Sequence, residues 1–207
     1  MIYQNILECV GHTPMVRLSR MVGENSAQVL VKYEGLNVGG SIKTRTALNM
    51  INQAEKDGLI GPDSIIVEPT SGNQGIGLAL GGAVRGYHTI LVMPDSVSEE
   101  RKKLMEHYGA EVRLIHDDGD IGACIAVCMN TDLRMQKENP KVFIPEQFST
   151  PNNPMVHKYY TPLAILEQVA GPLDGFCSGI RTGRPPSGTG APPKALNPPL
   201  EIYAVEP

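Results

Sequence analysis

The chain alternates short β-branched or aliphatic runs with longer stretches of helical periodicity. Ser64-Ile65-Ile66-Val67 predicts a strand and Ile76-Gly77-Leu78-Ala79-Leu80 a helix, and the stretch between them, Glu68-Pro69-Thr70-Ser71-Gly72-Asn73-Gln74-Gly75, is a tight polar turn. Upstream, Val29 to Tyr33 predicts a strand, and the glycine-bearing loop Glu34 to Lys43 enters a helix from about Thr44 to Lys56. Downstream, His88 to Pro94 predicts a strand and Ser98 to Tyr108 a helix, started by a capping-box pair, Ser96 and Glu99, and stopped by Gly109. Glu111 to His116 follows as a strand and Ile121 to Met135 as a helix. A loop, Ser149 to Pro154, leads to a helix from Met155 to Val169, and strand character returns at Asp174 to Ile180 and Leu200 to Val205. The proline density of Arg181 to Pro193 forbids an ordinary helix there. This succession predicts right-handed βαβ units around a mostly parallel sheet. Ligands of such sheets sit at the carboxyl ends of the strands, where Asn37 to Lys43 and Thr70 to Gly75 both fall.

Composition narrows the function. With 207 residues, 41% hydrophobic and 19% charged, the sequence is that of an ordered globular protein with room for one large core or two small ones. A net charge of −4 argues against a nucleic-acid or anionic-membrane surface, and the absence of Trp argues against an aromatic stacking platform. Met1-Ile2-Tyr3-Gln4-Asn5 lacks the basic start and apolar run of a signal peptide, and the apolar stretches are too short to span a bilayer, so a cytoplasmic protein is expected. Cys9, Cys124, Cys128 and Cys177 form no disulfide framework, and the dispersed histidines offer Cys124 and Cys128 no companion ligands at matching spacing. The two are expected as small core residues, with no metal.

Two places carry candidate chemistry. In the central turn, Thr70, Ser71 and Asn73 bring hydroxyl and amide groups, Gly72 and Gly75 allow close backbone approach, and the following helix presents its N-terminus to an anion. The same residues also suit a plain helix cap. Lys43 stands at the mouth of a predicted helix, where the dipole disfavours the ammonium form, as a reactive amine requires; a solvated surface lysine is the alternative. The surrounding loop lacks the G-x-x-x-x-G-K-[ST] spacing of a nucleotide P-loop, and no G-x-G-x-x-G follows the first strands.

Gly11-His12-Thr13-Pro14, Asn37 to Arg45, Glu68 to Gly75 and Glu146-Gln147-Phe148 through His157 resemble, in order and separation, the signature segments of the cysteine synthase and cystathionine β-synthase family of pyridoxal-phosphate enzymes. The resemblance extends to Val205. It implies a fold-type II enzyme of two α/β domains, the smaller and mobile one spanning 39–143 and the larger combining 1–38 with 144–207. It also implies that Lys43 holds pyridoxal 5′-phosphate as a Schiff base and shuttles the Cα proton, and that Asn73 bonds the cofactor's 3′-oxygen. By the same likeness, Thr70, Ser71, Gly72, Gln74 and Gln147 grip the substrate carboxylate, and Gly179, Thr182, Gly183 and Ser187 cradle the phosphate. The implied reaction is β-replacement on an activated serine, foremost O-acetylserine with sulfide giving cysteine and acetate. Cystathionine β-synthase, O-phosphoserine sulfhydrylase and diaminopropionate synthase activities belong to the same class. A homodimer, and the tail of a serine acetyltransferase as partner, are further implications.

The sequence departs from the family pattern in places. Thr44 stands where aspartate is usual and Gln74 where threonine is usual, with an amide that still suits a carboxylate. Arg181, Arg184, Pro185 and Pro186 occupy cradle positions where glycine or threonine would bring N–H groups to the phosphate. The chain also stops short of the segment that contacts the pyridine nitrogen in the family, which implies a piece of a longer protein. A non-catalytic relative that binds a partner is the expectation of another class, distinguished by having no need of pyridoxal phosphate. A nucleotide-binding module built on Asn37 to Lys43 is a third, and stabilisation by ATP would mark it.

Overall fold

Alternate residues of the central strands face opposite ways, and each set meets its own helices. In β3 (Ile65–Pro69) and β4 (His88–Pro94), Ile66, Leu91 and Met93 turn to one face while Val67, Ile90 and Val92 turn to the other. The first face is covered by α1 (Lys43–Lys56), α2 (Asn73–Arg85) and α3 (Glu99–His107), through Ala47, Ile51, Ile76, Leu78, Ala79 and Met105. The second is covered by α4 (Ile121–Glu138), through Cys124 and Cys128. Burial on both faces explains why β4 is apolar along its length rather than alternating. The computed structural model describes residues 2–147, 155–157, 160–169, 171–179 and 199–206.

The sheet has β3 and β4 at its centre, β5 (Glu111–Ile115) outside β4, and β6 (Val142–Phe143) outside β3, in the order β5-β4-β3-β6 with every pair parallel. The chain steps outward from β3 to β5 and then crosses back through α4 to the far side of β3. A crevice at the carboxyl ends of β3 and β6 results, and ligands of open α/β sheets occupy such reversals. Two smaller sheets complete the described strands. β1 (Met15–Arg17) and β2 (Leu30–Lys32) pair antiparallel, and β7 (Gly175–Gly179) pairs parallel with β8 (Glu201–Val205). Met155 to His157 is helical and α5 covers Thr161–Leu166, within the helix expected over Met155 to Val169.

The expected capping box is not formed. Ser98 is the residue that precedes α3, and the Ser96 hydroxyl instead bonds Asp117 beyond β5. Gly109 does end the helix, with a φ of +84° that glycine adopts without strain. The expected loop Ser149 to Pro154 and the proline-rich stretch 181–193 lie outside the described residues. No helix among the described residues is long and apolar enough to cross a membrane.

Candidate active site

Helices α1 and α2 lie side by side and point the same way. A side-chain carbon placed on Gly77 would stand 2.7 Å from the Ala47 Cβ and 3.2 Å from the Lys43 carbonyl oxygen, and one on Gly81 would stand 2.5 Å from Ile51 Cδ1. Glycine at both positions therefore lets the helices touch, and their N-termini come together at the carboxyl end of the sheet. Lys43, the first residue of α1, is half-buried there, its main-chain N–H bonded to the Ser41 hydroxyl at 3.2 Å. Asn73, the first residue of α2, is exposed.

The central turn divides its expected roles. The buried Thr70 hydroxyl oxygen accepts the N–H groups of Gly72 and Gly75, both at 3.2 Å, so Thr70 caps α2 and its oxygen is occupied there. Ser71 is half-buried and its carbonyl accepts from Arg101 of α3 at 3.1 Å. Gly72 is buried because the Arg101 guanidinium crosses it, 3.0 to 3.2 Å from where a Cβ would be. Gln74 differs from expectation. Its amide is buried against α1, with Oε1 2.8 Å from the Thr46 hydroxyl and Nε2 3.2 Å from Met50 Sδ, so it braces the two helices and does not face the turn's surface. The threonine expected at this position could not span that gap, because its side chain is two atoms shorter. Gln147 comes back to the turn from beyond β6, its Nε2 donating to the Pro69 carbonyl at 3.1 Å.

Gly179 ends β7 and is exposed, whereas Thr182, Gly183 and Ser187, together with Arg181, Arg184, Pro185 and Pro186, lie outside the described residues. The structure thus brings Lys43, Thr70, Ser71, Gly72, Asn73 and Gln147 to the ends of α1, α2 and β3.

Several further residues, most of them inside the motif segments but given no role there, stand at the site. His157 is fully buried, with Nδ1 3.2 Å from the Thr161 hydroxyl and Nε2 without a hydrogen-bond partner among the described residues. Burial, and then the charges of Lys43 and Arg45, push its imidazole down to about 4, so the ring is neutral at pH 7. Arg45 grips both oxygens of Glu34 at 2.8 Å and the Gly11 carbonyl at 2.7 Å, while Asn37 donates to Glu34 at 2.7 Å and accepts from the Gly11 N–H at 2.9 Å. The segments Gly11 to Pro14 and Asn37 to Arg45 are thereby knotted into one buried network beneath Lys43. Their spacing in the sequence held this information only as a motif, because all the partners but Asn37 and Glu34 lie 11 to 34 residues apart.

The residues present fit the ring end of pyridoxal phosphate. An amine and an amide stand at adjoining helix N-termini, and a buried imidazole nitrogen near Lys43 has no hydrogen-bond partner among the described residues. Cys124 and Cys128 serve the core, burial pushing the Cys128 thiol up to about 12. Among the described residues no cluster of three His, Cys, Asp or Glu side chains could hold a metal ion.

Residues 6–207 match the family model described as pyridoxal-phosphate dependent enzyme. The chain is 42% identical to a probable cysteine synthase of Bacillus subtilis over all of its own length and 66% of the relative's, and 44% identical to a cysteine synthase of Staphylococcus aureus over 98% of its own length and 64% of the relative's. It thus spans slightly less than two thirds of these relatives. A hydrogen sulfide-producing enzyme of Fusobacterium nucleatum has a solved structure that matches the whole chain and 67% of its own, with a TM-score of 0.89 at 40% identity. The α/β architecture is that of the fold-type II enzymes, and the chain belongs to the family of pyridoxal-phosphate dependent enzymes.

Proposed function

We propose that this chain forms the lysine-bearing and substrate-gripping part of a cysteine synthase, replacing the acetoxy group of O-acetylserine, which leaves as acetate, with sulfide to give cysteine. The observation that carries this reading is the meeting of the α1 and α2 N-termini at Gly77, which sets Lys43 beside the central turn. Pyridoxal phosphate, when bound, supplies the electron sink that makes the substrate's Cα proton removable. Lys43 Nζ is the attachment point and the base that takes this proton, then returns it after sulfide has added at Cβ and acetate has left. Asn73 orients the ring through its amide. The Ser71 to Asn73 turn and Gln147 bind the substrate carboxylate, while Thr70 holds the turn in shape. Gly179, Thr182, Gly183 and Ser187 take the phosphate. His157, buried and neutral, adds no positive charge of its own near Lys43.

The same reading assigns residues 39–143 to a smaller domain that closes on the substrate, and 1–38 with 144–207 to the larger one. Closure excludes water from the reacting carbon. A cytoplasmic homodimer, with the tail of a serine acetyltransferase as a partner, goes with it. The test is the visible absorption spectrum of the chain loaded with pyridoxal phosphate, beside Lys43→Ala. A band that Lys43→Ala removes and O-acetylserine shifts, together with cysteine formed from sulfide, is the expected result. A colourless wild-type chain would overturn the catalytic reading and leave a partner-binding role.

A further inference from the structure

Glu68 is the charged residue that opens the stretch of the central turn, and it lies fully buried near the end of β3. Its carboxylate accepts two consecutive main-chain N–H groups from the segment that follows β6, Oε2 from Glu146 and Oε1 from Gln147, both at 3.0 Å. Successive N–H groups converge on one anion only where the backbone turns unusually. Here Glu146 supplies the turn, with a φ of +54°, the sole positive value at a non-glycine among the described residues. For such a residue the left-handed region costs about 1 kcal/mol or more and persists when its surroundings hold it. The circuit closes through the Gln147 side chain, which donates to the carbonyl of Pro69, the residue after Glu68.

We propose that Glu68 is a positioning residue for the substrate grip: its carboxylate holds the left-handed turn at Glu146 and so fixes the Gln147 amide against the central turn. The proposal rests on the functional reading above, in which Gln147 binds the substrate carboxylate. Glu68 does not touch substrate, since it is sealed beneath the turn. Glutamate is needed because both converging groups are donors, and both oxygens of a carboxyl, ionised or protonated, can accept an N–H. A glutamine would turn its own NH2 toward one of them. Burial, with the nearby carboxyl of Asp132 on α4 and that of Glu146, pushes Glu68 up to about 8 against the pull of its two N–H donors. Asp132 is itself raised to about 7 by burial, and its oxygens have no hydrogen-bond partner among the described residues.

The test compares Glu68→Gln, Glu146→Gly and the double variant, each loaded with pyridoxal phosphate. Glu68→Gln is expected to raise KM for O-acetylserine about tenfold while kcat stays within about threefold and the visible band is unchanged. Glycine adopts a φ of +54° without strain, so Glu146→Gly in the Glu68→Gln background is expected to bring KM back to within about threefold of wild type. A purely structural loss would lower kcat and cofactor content together and would not be rescued at position 146. Hydrogen exchange gives a readout that needs neither turnover nor cofactor. In the wild-type chain the amides of Glu146 and Gln147 should exchange as slowly as those of β3, and in Glu68→Gln at least tenfold faster. Rapid exchange at both amides in the wild type, or an unchanged KM in Glu68→Gln, would overturn the proposal. A colourless, inactive wild type with slow exchange at these amides would instead sink the cysteine synthase reading.

Discussion

Gly77 of α2 faces Ala47 of α1 so closely that a methyl group on Gly77 would stand 2.7 Å from the Ala47 Cβ. The same methyl would also sit 3.2 Å from the Lys43 carbonyl oxygen and 3.2 Å from Thr44 Cα, backbone atoms that cannot swing aside. In a free helix alanine would be favoured over glycine by about 1 kcal/mol. Here the overlap forces α1 and α2 apart, which costs about 1–3 kcal/mol in a packed interface. Gly77→Ala is therefore expected to lower the melting temperature and, since the shifted element carries Lys43, to weaken retention of pyridoxal phosphate in equilibrium dialysis. A raised melting temperature with unchanged retention would contradict the helix contact.

Breaking the network under Lys43 should cost more. Arg45 is 5% and Glu34 15% exposed, and their doubly bonded pair also anchors Gly11, Thr13 and Asn37. Removing one member strands the other charge in a buried site, for which about 3 kcal/mol is the usual loss. Burial raises the Glu34 carboxyl, but hydrogen bonds from Arg45 and Thr13 outweigh it and hold the group below the ordinary carboxylate range. The sign follows: this stabilisation is complete above about pH 4.3, the unfolded value, and is lost as pH falls through the folded one. Glu34→Gln should be clearly less stable than wild type in urea at pH 7, and the gap should narrow below pH 4. A gap that stays constant with pH would refute the ionic account.

The legible part of this protein was what is local. Strands such as His88 to Pro94 and the stop at Gly109 follow from runs of apolar residues and from glycine. The Thr70 cap was open to reading too, as hydroxyl, glycine and helix start lie within five residues. What escaped depends on distant partners. Nothing near Gln74 announces that its amide would bridge to Thr46 and Met50, and nothing near Glu68 announces Gln147, 79 positions later. The capping box failed for the opposite reason: Asp117, remote in sequence, is within reach of Ser96 and takes its hydroxyl.

Asp132 should betray itself in the pH dependence of stability. Its carboxyl on α4 is 1% exposed, has no hydrogen-bond partner among the described residues, and is pushed by burial up to about 7. A carboxyl whose folded value lies above its unfolded one, about 3.9, holds its proton more tightly when folded. It therefore makes the protein lose stability as pH rises from about 4 to 7, by an amount on the order of 3 kcal/mol. Asp132→Asn should flatten that decline without abolishing it, since Glu68 is raised as well. Urea midpoints measured from pH 4 to 8 give both slopes, and equal slopes would mean that Asp132 is ionised throughout.

The last prediction concerns Arg101, which reaches from α3 to donate to the Ser71 carbonyl at 3.1 Å and lays its guanidinium over Gly72. The side chain is exposed, so its removal should leave stability within about 0.5 kcal/mol of wild type. Its effect should instead fall on the turn proposed to bind the substrate carboxylate, where one anchored carbonyl fixes the direction of the neighbouring peptide groups. Ordering a released turn again on substrate binding costs about 1–1.5 kcal/mol, or close to a tenfold rise in KM. Gly72→Ala offers an independent route to the same state. A methyl group there meets Arg101 Nη1 at 3.0 Å, and the flexible arginine, not the backbone, gives way. Arg101→Ala and Gly72→Ala should accordingly raise the KM for O-acetylserine by similar factors, and the double variant should be no worse than either. Independent, multiplying effects in steady-state assays would show that Arg101 and Gly72 act separately.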